Sequence, residues 1–274
     1  MYAVLPDYPR ASGRNIASIT PTLCDLMGVS RPALSSCEPM EGVLRACGEA
    51  GGGEIEVCLV YAPDAVGRHV LERYPGLIKC IREAAPAVEP LESVFPPKTP
   101  VCFASMFTGA PPEAHGIREY EQPVLRCDTL FDAFVRARKR PAIVSVEGAS
   151  VDVIFRGRGM DYFSEPGDSA VTARVLELLA AGRHDLILAY HQEYDDVLHG
   201  AGAFAPDALA AVKRHLAAFR EMVERARGCW AGRPGLMVFA PDHGAHDDPD
   251  TGKGTHGRAI AEDMELLHFF GVVT

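Results

Sequence analysis

Four short apolar runs, at residues 55–62, 142–146, 185–190 and 235–240, most constrain what this chain can fold into. They are rich in β-branched and apolar residues and too short for typical helices, so they read as strands buried on both faces. Helical periodicity fills the intervals at 67–84, 129–139, 169–181 and 206–227. Strands alternating with helices predict an α/β fold, a mostly parallel central sheet with helices on both faces in an α/β/α sandwich. Such sheets take ligands beyond the carboxyl ends of their strands. Three of the four runs are followed there by a carboxylate: Asp64 after the first, Asp195 after the third, and Asp242 with His243 after the fourth.

A chain of 274 residues has the size of one large α/β domain or two small ones. We read residues 1–274 as a single catalytic domain, with its core at 54–274 and an N-terminal arm at 1–53. In the arm, the apolar stretch 19–29 reads as helical and Gly51-Gly52-Gly53 as a flexible turn into the main sheet. The formal net charge of -10 speaks against a nucleic-acid polymer as partner, because phosphate backbones are held by clustered Lys and Arg. One compact basic run, at 136–140, follows a helix-like stretch and reads as a solvated helix end. An acidic balance also suits a protein that collects divalent cations. Eight cysteines without any C-x-x-C spacing read as reduced thiols of a cytoplasmic protein. The opening MYAVLPDYPR lacks the basic and apolar regions of a signal peptide, and no apolar run approaches the ~20 residues of a membrane span.

The residues with chemical potential fall in four ordered segments. At 95–117, Thr99 precedes a short apolar helix that ends in Thr108-Gly109, and a Pro-rich turn leads into His115-Gly116-Ile117. A hydroxyl at a helix N-terminus can cap it, and it also stands where the dipole and free N–H groups favour an anion. At 190–200, Asp195 and His199 have the i, i+4 spacing that puts both on one face of a helical turn, as a metal site needs. Asp196 is the alternative carboxylate. Asp242-His243-Gly244 is followed by Gly254-Thr255-His256-Gly257, whose glycines allow tight turns that bring distant ligands together. His246, Asp247, Asp248 and Asp250 in the same loop read as solvated. Of two carboxylates ahead of Thr99, Asp64 is preferred over Asp7 because its strand is longer and a helix follows.

Taken in order, these segments resemble the nucleotide pyrophosphatase/phosphodiesterase and phosphonoacetate hydrolase families of the alkaline phosphatase superfamily, over about residues 55 to 257. In those families a Thr ten residues before the Gly of the Thr-Gly pair attacks phosphorus, which implies Thr99 as nucleophile. Sulfatases of the superfamily place a modified Cys or Ser there; Cys102 stands three positions too late. The stretch 19–29 looks like an element that sulfatase-like relatives carry after the Asp-His-Gly motif, so its N-terminal place suggests rearranged connectivity or a chance match.

The resemblance implies two divalent metal ions. Asp195, His199 and His256 would hold one, and Asp64, Asp242 and His243 with the Thr99 oxygen the other. Mixed imidazole and carboxylate ligands fit Zn best, ahead of Mn, Fe or Co. An Asn that holds a phosphate oxygen in the phosphodiesterases is replaced by Tyr120, and Arg118 is a second candidate for substrate binding. The implied activity is hydrolysis of a phosphodiester or nucleotide pyrophosphate through a phosphothreonine intermediate. A phosphonate or phosphate monoester hydrolase is the alternative, and a phosphotransferase or mutase with a sugar acceptor is a further one. The partner is then a small-molecule phosphoester, at a site either open or completed by a second subunit in a homo-oligomer.

Overall fold

The computed structural model describes residues 13–51 and 54–273. Asp7 and most of the triple-glycine turn lie outside the described residues. Nine strands are present among them: β1 (Val57–Pro63), β2 (Ala87–Glu92), β3 (Pro141–Val146), β4 (Asp161–Glu165), β5 (Leu186–His191), β6 (Gly235–Phe239), β7 (His246–Asp247), β8 (Gly254–Thr255) and β9 (Glu265–Val273). Seven form one sheet in the order β2-β9-β6-β1-β5-β3-β4, while β7 and β8 pair separately. From β6 to β4 every pairing is parallel, and β9 runs antiparallel to both β6 and β2.

The helices are α1 (Ile19–Leu26), α2 (Glu41–Gly51), α3 (Arg68–Arg73), α4 (Gly76–Arg82), α5 (Thr99–Thr108), α6 (Pro112–His115), α7 (Leu130–Arg136), α8 (Ser150–Ile154), α9 (Asp168–Ala181), α10 (Glu193–Ala201), α11 (Pro206–Cys229) and α12 (Ala261–Met264). Strand alternation divides them into two layers. Cys58, Val60 and Ala62 of β1 face a core shared with α1, α2, α5, α7 and α8. Val57, Leu59 and Tyr61 face the other, built with α3, α4, α9, α10 and α11. The central strands are buried on both faces, which is why they read as unbroken apolar runs.

Helix α5 is the best anchored of the short helices. All ten of its residues are buried, and Phe107 lies 5.1 Å from Phe131 and 5.7 Å from Phe155, ring centre to ring centre. Losing a buried ring of this kind costs about 3–5 kcal/mol, so the first residue of α5 starts from a rigid support. The N-terminal segment contributes as well. Its helix α1 packs beside α5, with the Thr20 hydroxyl donating to the Met106 carbonyl at 2.6 Å.

One expectation is corrected, and several strands are added to those expected. The helix expected at 67–84 is two, α3 and α4, because Pro75 disfavours helical backbone at Tyr74, which takes φ −128° and ψ 72°. Strands β2, β4, β7, β8 and β9 were not anticipated. Pro90 in β2 is tolerated because β2 is an edge strand. No helix among the described residues is long and apolar enough to cross a membrane.

Candidate metal centre

Strand β1 lies between β5 and β6, so the three chain segments leaving their carboxyl ends emerge side by side. Asp64 directly follows β1, and its N–H donates to the His191 carbonyl at the end of β5. Helix α10 begins two residues after β5 and carries Asp195 and His199 on one face. Asp242 and His243 follow β6, and Asp242 accepts from the Ala65 N–H at 3.2 Å. Ala65 takes φ 60°, an uncommon conformation for a residue with a Cβ, which turns its N–H to that carboxylate. The β7–β8 hairpin delivers His256.

Thr99 is the first residue of α5. It does not cap the helix: the N-cap is Lys98, which makes no side-chain cap bond. The Thr99 hydroxyl instead donates to Asp64 Oδ2 at 3.3 Å and lies 3.4 Å from His243 Nε2. It is buried at the positive end of a helix.

Among the described residues, three groups of His and Asp bring ligand atoms within 4.8 Å of one another: Asp195, His199 and His256; Asp64, Asp242 and His243; and Asp168, His191 and His215. The first two have the orientation that metal ligation needs. His199, His243 and His256 each direct Nδ1 at a backbone carbonyl, of Gly254, Gly244 and Pro97, at 3.0–3.1 Å. In the neutral ring that donation leaves Nε2 free of a proton and facing the carboxylates, the outer-shell arrangement typical of metal-bound histidine. Asp64 Oδ1, Asp195 Oδ1 and Asp242 Oδ2 are buried without a hydrogen-bond partner, so each group has an orphaned oxygen for a cation to satisfy. The two groups adjoin, because the His243 and His256 rings stack with centroids 4.1 Å apart.

The third group differs. His215 Nε2 accepts from the Tyr194 N–H at 3.2 Å, which puts the proton of the neutral ring on Nδ1, the atom that would have to bind. His191 Nδ1 faces the Tyr61 hydroxyl at 3.0 Å, and its Nε2 faces Thr172 Oγ1 at 3.2 Å. This group is a hydrogen-bonded network.

Charge crowding marks the same place. Burial, then the charges of Asp242 and Asp195, raise Asp64 well above the ordinary carboxylate range, and burial raises Asp242 to about 8. His243 is lowered to about 3, by burial first and then by His256. Asp195 loses solvation too, yet its hydrogen bond with His199 and the neighbouring imidazoles bring it down.

In front of Thr99 lies a cavity of about 240 Å³ bounded by Asp64, Asp195, Tyr120, Gln122, Glu147, Ser150, Tyr190, Gln192 and Asp196. Tyr120 is 61% exposed at its rim. Arg118 is outside this group; its guanidinium donates to the Glu113 carbonyl. Asp196 accepts from the Gln192 side chain rather than joining a ligand group. Cys102 is fully buried beside Ser93, with its thiol pushed up by burial.

His246 corrects the reading of its loop as solvated: it is buried, and its Nδ1 meets Asp263 Oδ1 at 2.7 Å. Asp247 also has a defined partner, the Ala203 N–H. Two contributors had no role assigned in the sequence, although Tyr190 opens the 190–200 segment. The Tyr190 hydroxyl donates to Asp64 Oδ2. Glu147 directly follows β3, and the rule that found Asp64 at a strand end would have found it.

Residues 61–145 match the family described as type I phosphodiesterase / nucleotide pyrophosphatase, a span that contains Asp64 and Thr99. Murine ectonucleotide pyrophosphatase/phosphodiesterase 5, inactive and in complex with AMP, superposes with a TM-score of 0.56 at 19% identity, over 71% of this chain and 58% of that one. The chain has the alkaline phosphatase superfamily fold. Phosphonoacetate hydrolase from Sinorhizobium meliloti 1021 in complex with phosphonoacetate gives a TM-score of 0.52 at 20% identity, over 72% and 59%. The C-terminal periplasmic domain of EcEptC from Escherichia coli, a Zn complex, gives 0.52 at 14% identity, over 82% and 74%. The chain thus spans under three-fifths of the length of the first two alkaline phosphatase superfamily structures. No curated protein matches the sequence.

Proposed function

We propose that this chain is a metal-dependent phosphoric ester hydrolase that acts on phosphodiesters with Thr99 as nucleophile. The observation that carries the reading is the position of the Thr99 hydroxyl, at a buried helix N-terminus, against one His/Asp group and facing an open cavity. Asp195, His199 and His256 would hold one divalent ion, and Asp64, Asp242 and His243 another. Zn fits the mixture of imidazole and carboxylate best, and Mn follows. When bound, such ions lower the pKa of a neighbouring hydroxyl and offset charge on phosphoryl oxygens.

The chain's own groups supply the rest. Asp64 Oδ2 accepts the Thr99 O–H and is itself held by Tyr190, so the nucleophilic oxygen has a fixed direction into the cavity. The N-terminus of α5 presents positive charge to an attacked phosphoryl group. Tyr120, where the phosphodiesterases have Asn, offers a phenol O–H to a nonbridging oxygen. The Thr99 oxygen bonds phosphorus as the P–O bond to one alcohol breaks, that alcohol leaves with the proton given up by Thr99, and a phosphodiester remains on Thr99. Water then breaks the Thr99 O–P bond, restoring the hydroxyl and releasing a phosphate monoester.

A diester is favoured over a monoester or a nucleotide pyrophosphate because no Lys or Arg lines the cavity. Nothing there supports negative charge beyond what the metal groups take, and Arg118 is engaged elsewhere. The cytoplasm remains the proposed location, supported by eight free thiols.

The test is a panel of 4-nitrophenyl diester, monoester and phosphonate substrates, assayed with Zn and with Mn. Diester turnover that needs the metal and vanishes in Thr99→Ala, with metal content retained, is the expected result. Undiminished turnover in Thr99→Ala would remove Thr99 from the chemistry.

A further inference from the structure

Asp263 is fully buried and belongs to none of the ligand groups, yet its acceptors go to the loops that carry two of them. It lies in α12, two residues ahead of β9, the strand that pairs with both β2 and β6. Its carbonyl accepts the Gly244 N–H at 2.9 Å, one residue after His243. Its Oδ1 accepts from His246 Nδ1 at 2.7 Å, and its Oδ2 accepts the Arg258 N–H at 2.8 Å, two residues after His256. His246 in turn pairs across the β7–β8 hairpin with Thr255, the residue before His256. One residue thus holds the chain beside His243 and on both sides of His256, although these histidines belong to different ligand groups.

Burying a carboxylate is costly unless its oxygens are hydrogen-bonded, and an apolar side chain of similar size often packs in such a place without loss of stability. What the carboxylate adds is direction. Its two oxygens are fixed on one planar group, so the donors of His246 and Arg258 are held at a set separation. The support behind it is firm as well: the Met264 carbonyl accepts the Ser93 N–H at 2.7 Å, and the Ser93 hydroxyl donates to the Asp242 carbonyl at 2.8 Å. Among the described residues the His246 ring has no second polar tie, since its Nε2 is buried without a partner. The His243 and His256 rings whose loops meet at Asp263 stack with centroids 4.1 Å apart, where a small shift of either loop changes both groups.

Resting on the two-metal reading above, we infer that Asp263, working with His246, is the positioning residue that sets the two ligand groups against each other. It acts through the loops and touches no reacting atom. Asp263→Asn keeps the shape but leaves one oxygen to serve two donors, so one of the two loops loses its anchor. His246→Ala removes the Oδ1 bond alone. His246→Asn restores it, because the Asn amide offers an N–H in place of the imidazole Nδ1–H.

The test titrates Co²⁺ into the metal-free full chain and follows its visible d–d absorption, which reports ligand number and geometry, together with Tm. Wild type should take up two ions. We expect both to bind about tenfold more weakly in Asp263→Asn and in His246→Ala, with altered bands, and His246→Asn to recover most of the loss. Leu179→Ala is the comparison: it is buried near the end of α9, toward the amino end of β5 and away from the site. It should lower Tm while leaving both affinities and the bands unchanged. Should Asp263→Asn fail to fold, the two His246 variants decide. Wild-type affinities and bands in the variants, whatever their Tm, overturn the positioning role, as does a loss confined to one ion or no recovery in His246→Asn. A wild type that binds fewer than two Co²⁺ ions removes the two-metal reading itself, and this inference with it.

Discussion

Gly67 and Gly244 pass so close that a Cβ on Gly67 would stand 2.5 Å from the Gly244 Cα. A Cβ on Gly244 would in turn meet the Glu262 carbonyl oxygen at 2.0 Å, and the Gly244 N–H donates to the Asp263 carbonyl at 2.9 Å. The glycine after Asp242-His243 is therefore a packing requirement, because the loop must press between the start of α3 and α12 to seat His243. Gly244→Ala should push the loop outward at a cost of about 1–3 kcal/mol, as overpacked sites do. We expect a lower Tm and weaker metal retention together. A variant with wild-type Tm and metal content would show that the loop has room the structure denies it.

Thr99→Ser retains the attacking oxygen and removes only a methyl group, whereas Thr99→Ala removes the oxygen. Turnover should fall by on the order of 10³ or more in the alanine variant and remain measurable in the serine variant. Both should keep their metals, since Asp64, Asp242 and His243 are untouched. Equal losses in the two variants would mean that the methyl group, not the hydroxyl, carries the effect.

The buried network of His191 and His215 makes stability depend on pH. Burial lowers both imidazoles from 6.5 to about 3, and for His215 the neighbouring His191 adds to it. Below about pH 6.5 the unfolded chain binds protons that the folded chain refuses, so stability falls as pH drops from 6.5 toward 3. Each histidine contributes a slope of up to ~1.4 kcal/mol per pH unit inside that window, and none above it. Buried Asp64 and Asp242, both raised, give the opposite slope in the metal-free protein. The pair's share is therefore the difference between the chelator-treated wild type and a His191→Gln/His215→Gln variant: below pH 6.5 the wild type should lose Tm relative to the variant. The same pH dependence in both proteins would contradict neutral burial of the pair.

Much of this site was legible because its residues obey local rules that sequence displays. Strand ends deliver Asp64, Asp195 and Asp242, and the i, i+4 spacing sets His199 beside Asp195 before any tertiary contact is known. The parts that were not legible depend on distance in the chain. Tyr190 reaches Asp64 across 126 residues through the pairing of β1 with β5, and nothing local to Tyr190 announces that partner. His246 looks solvated in an acidic loop, yet Asp263, 17 residues later, draws it inward. Strand β9 was missed because its place between β2 and β6 is set by antiparallel pairing with both, across long stretches of chain. Arg118 sits beside Tyr120 in sequence, but the turn after α6 sends its guanidinium back to Glu113.

Separate ligand groups make separable losses. His256 Nε2 stands 3.5 Å from Asp195 Oδ1, and His199 Nε2 is 3.3 Å from Asp195 Oδ2, so His256→Ala leaves its group with two ligands. The Asp64, Asp242 and His243 group keeps all three. Its geometry is still disturbed to a degree, because His243 loses the ring stacked on it at 4.1 Å. Elemental analysis should therefore find close to two divalent ions in the loaded wild type, close to one in His256→Ala, and a somewhat weaker hold on the ion that remains. Asp64→Asn should spare the opposite ion. A wild type that loads one ion or none would remove the dinuclear centre, and a His256→Ala variant that still loads two would take His256 out of the ligand set.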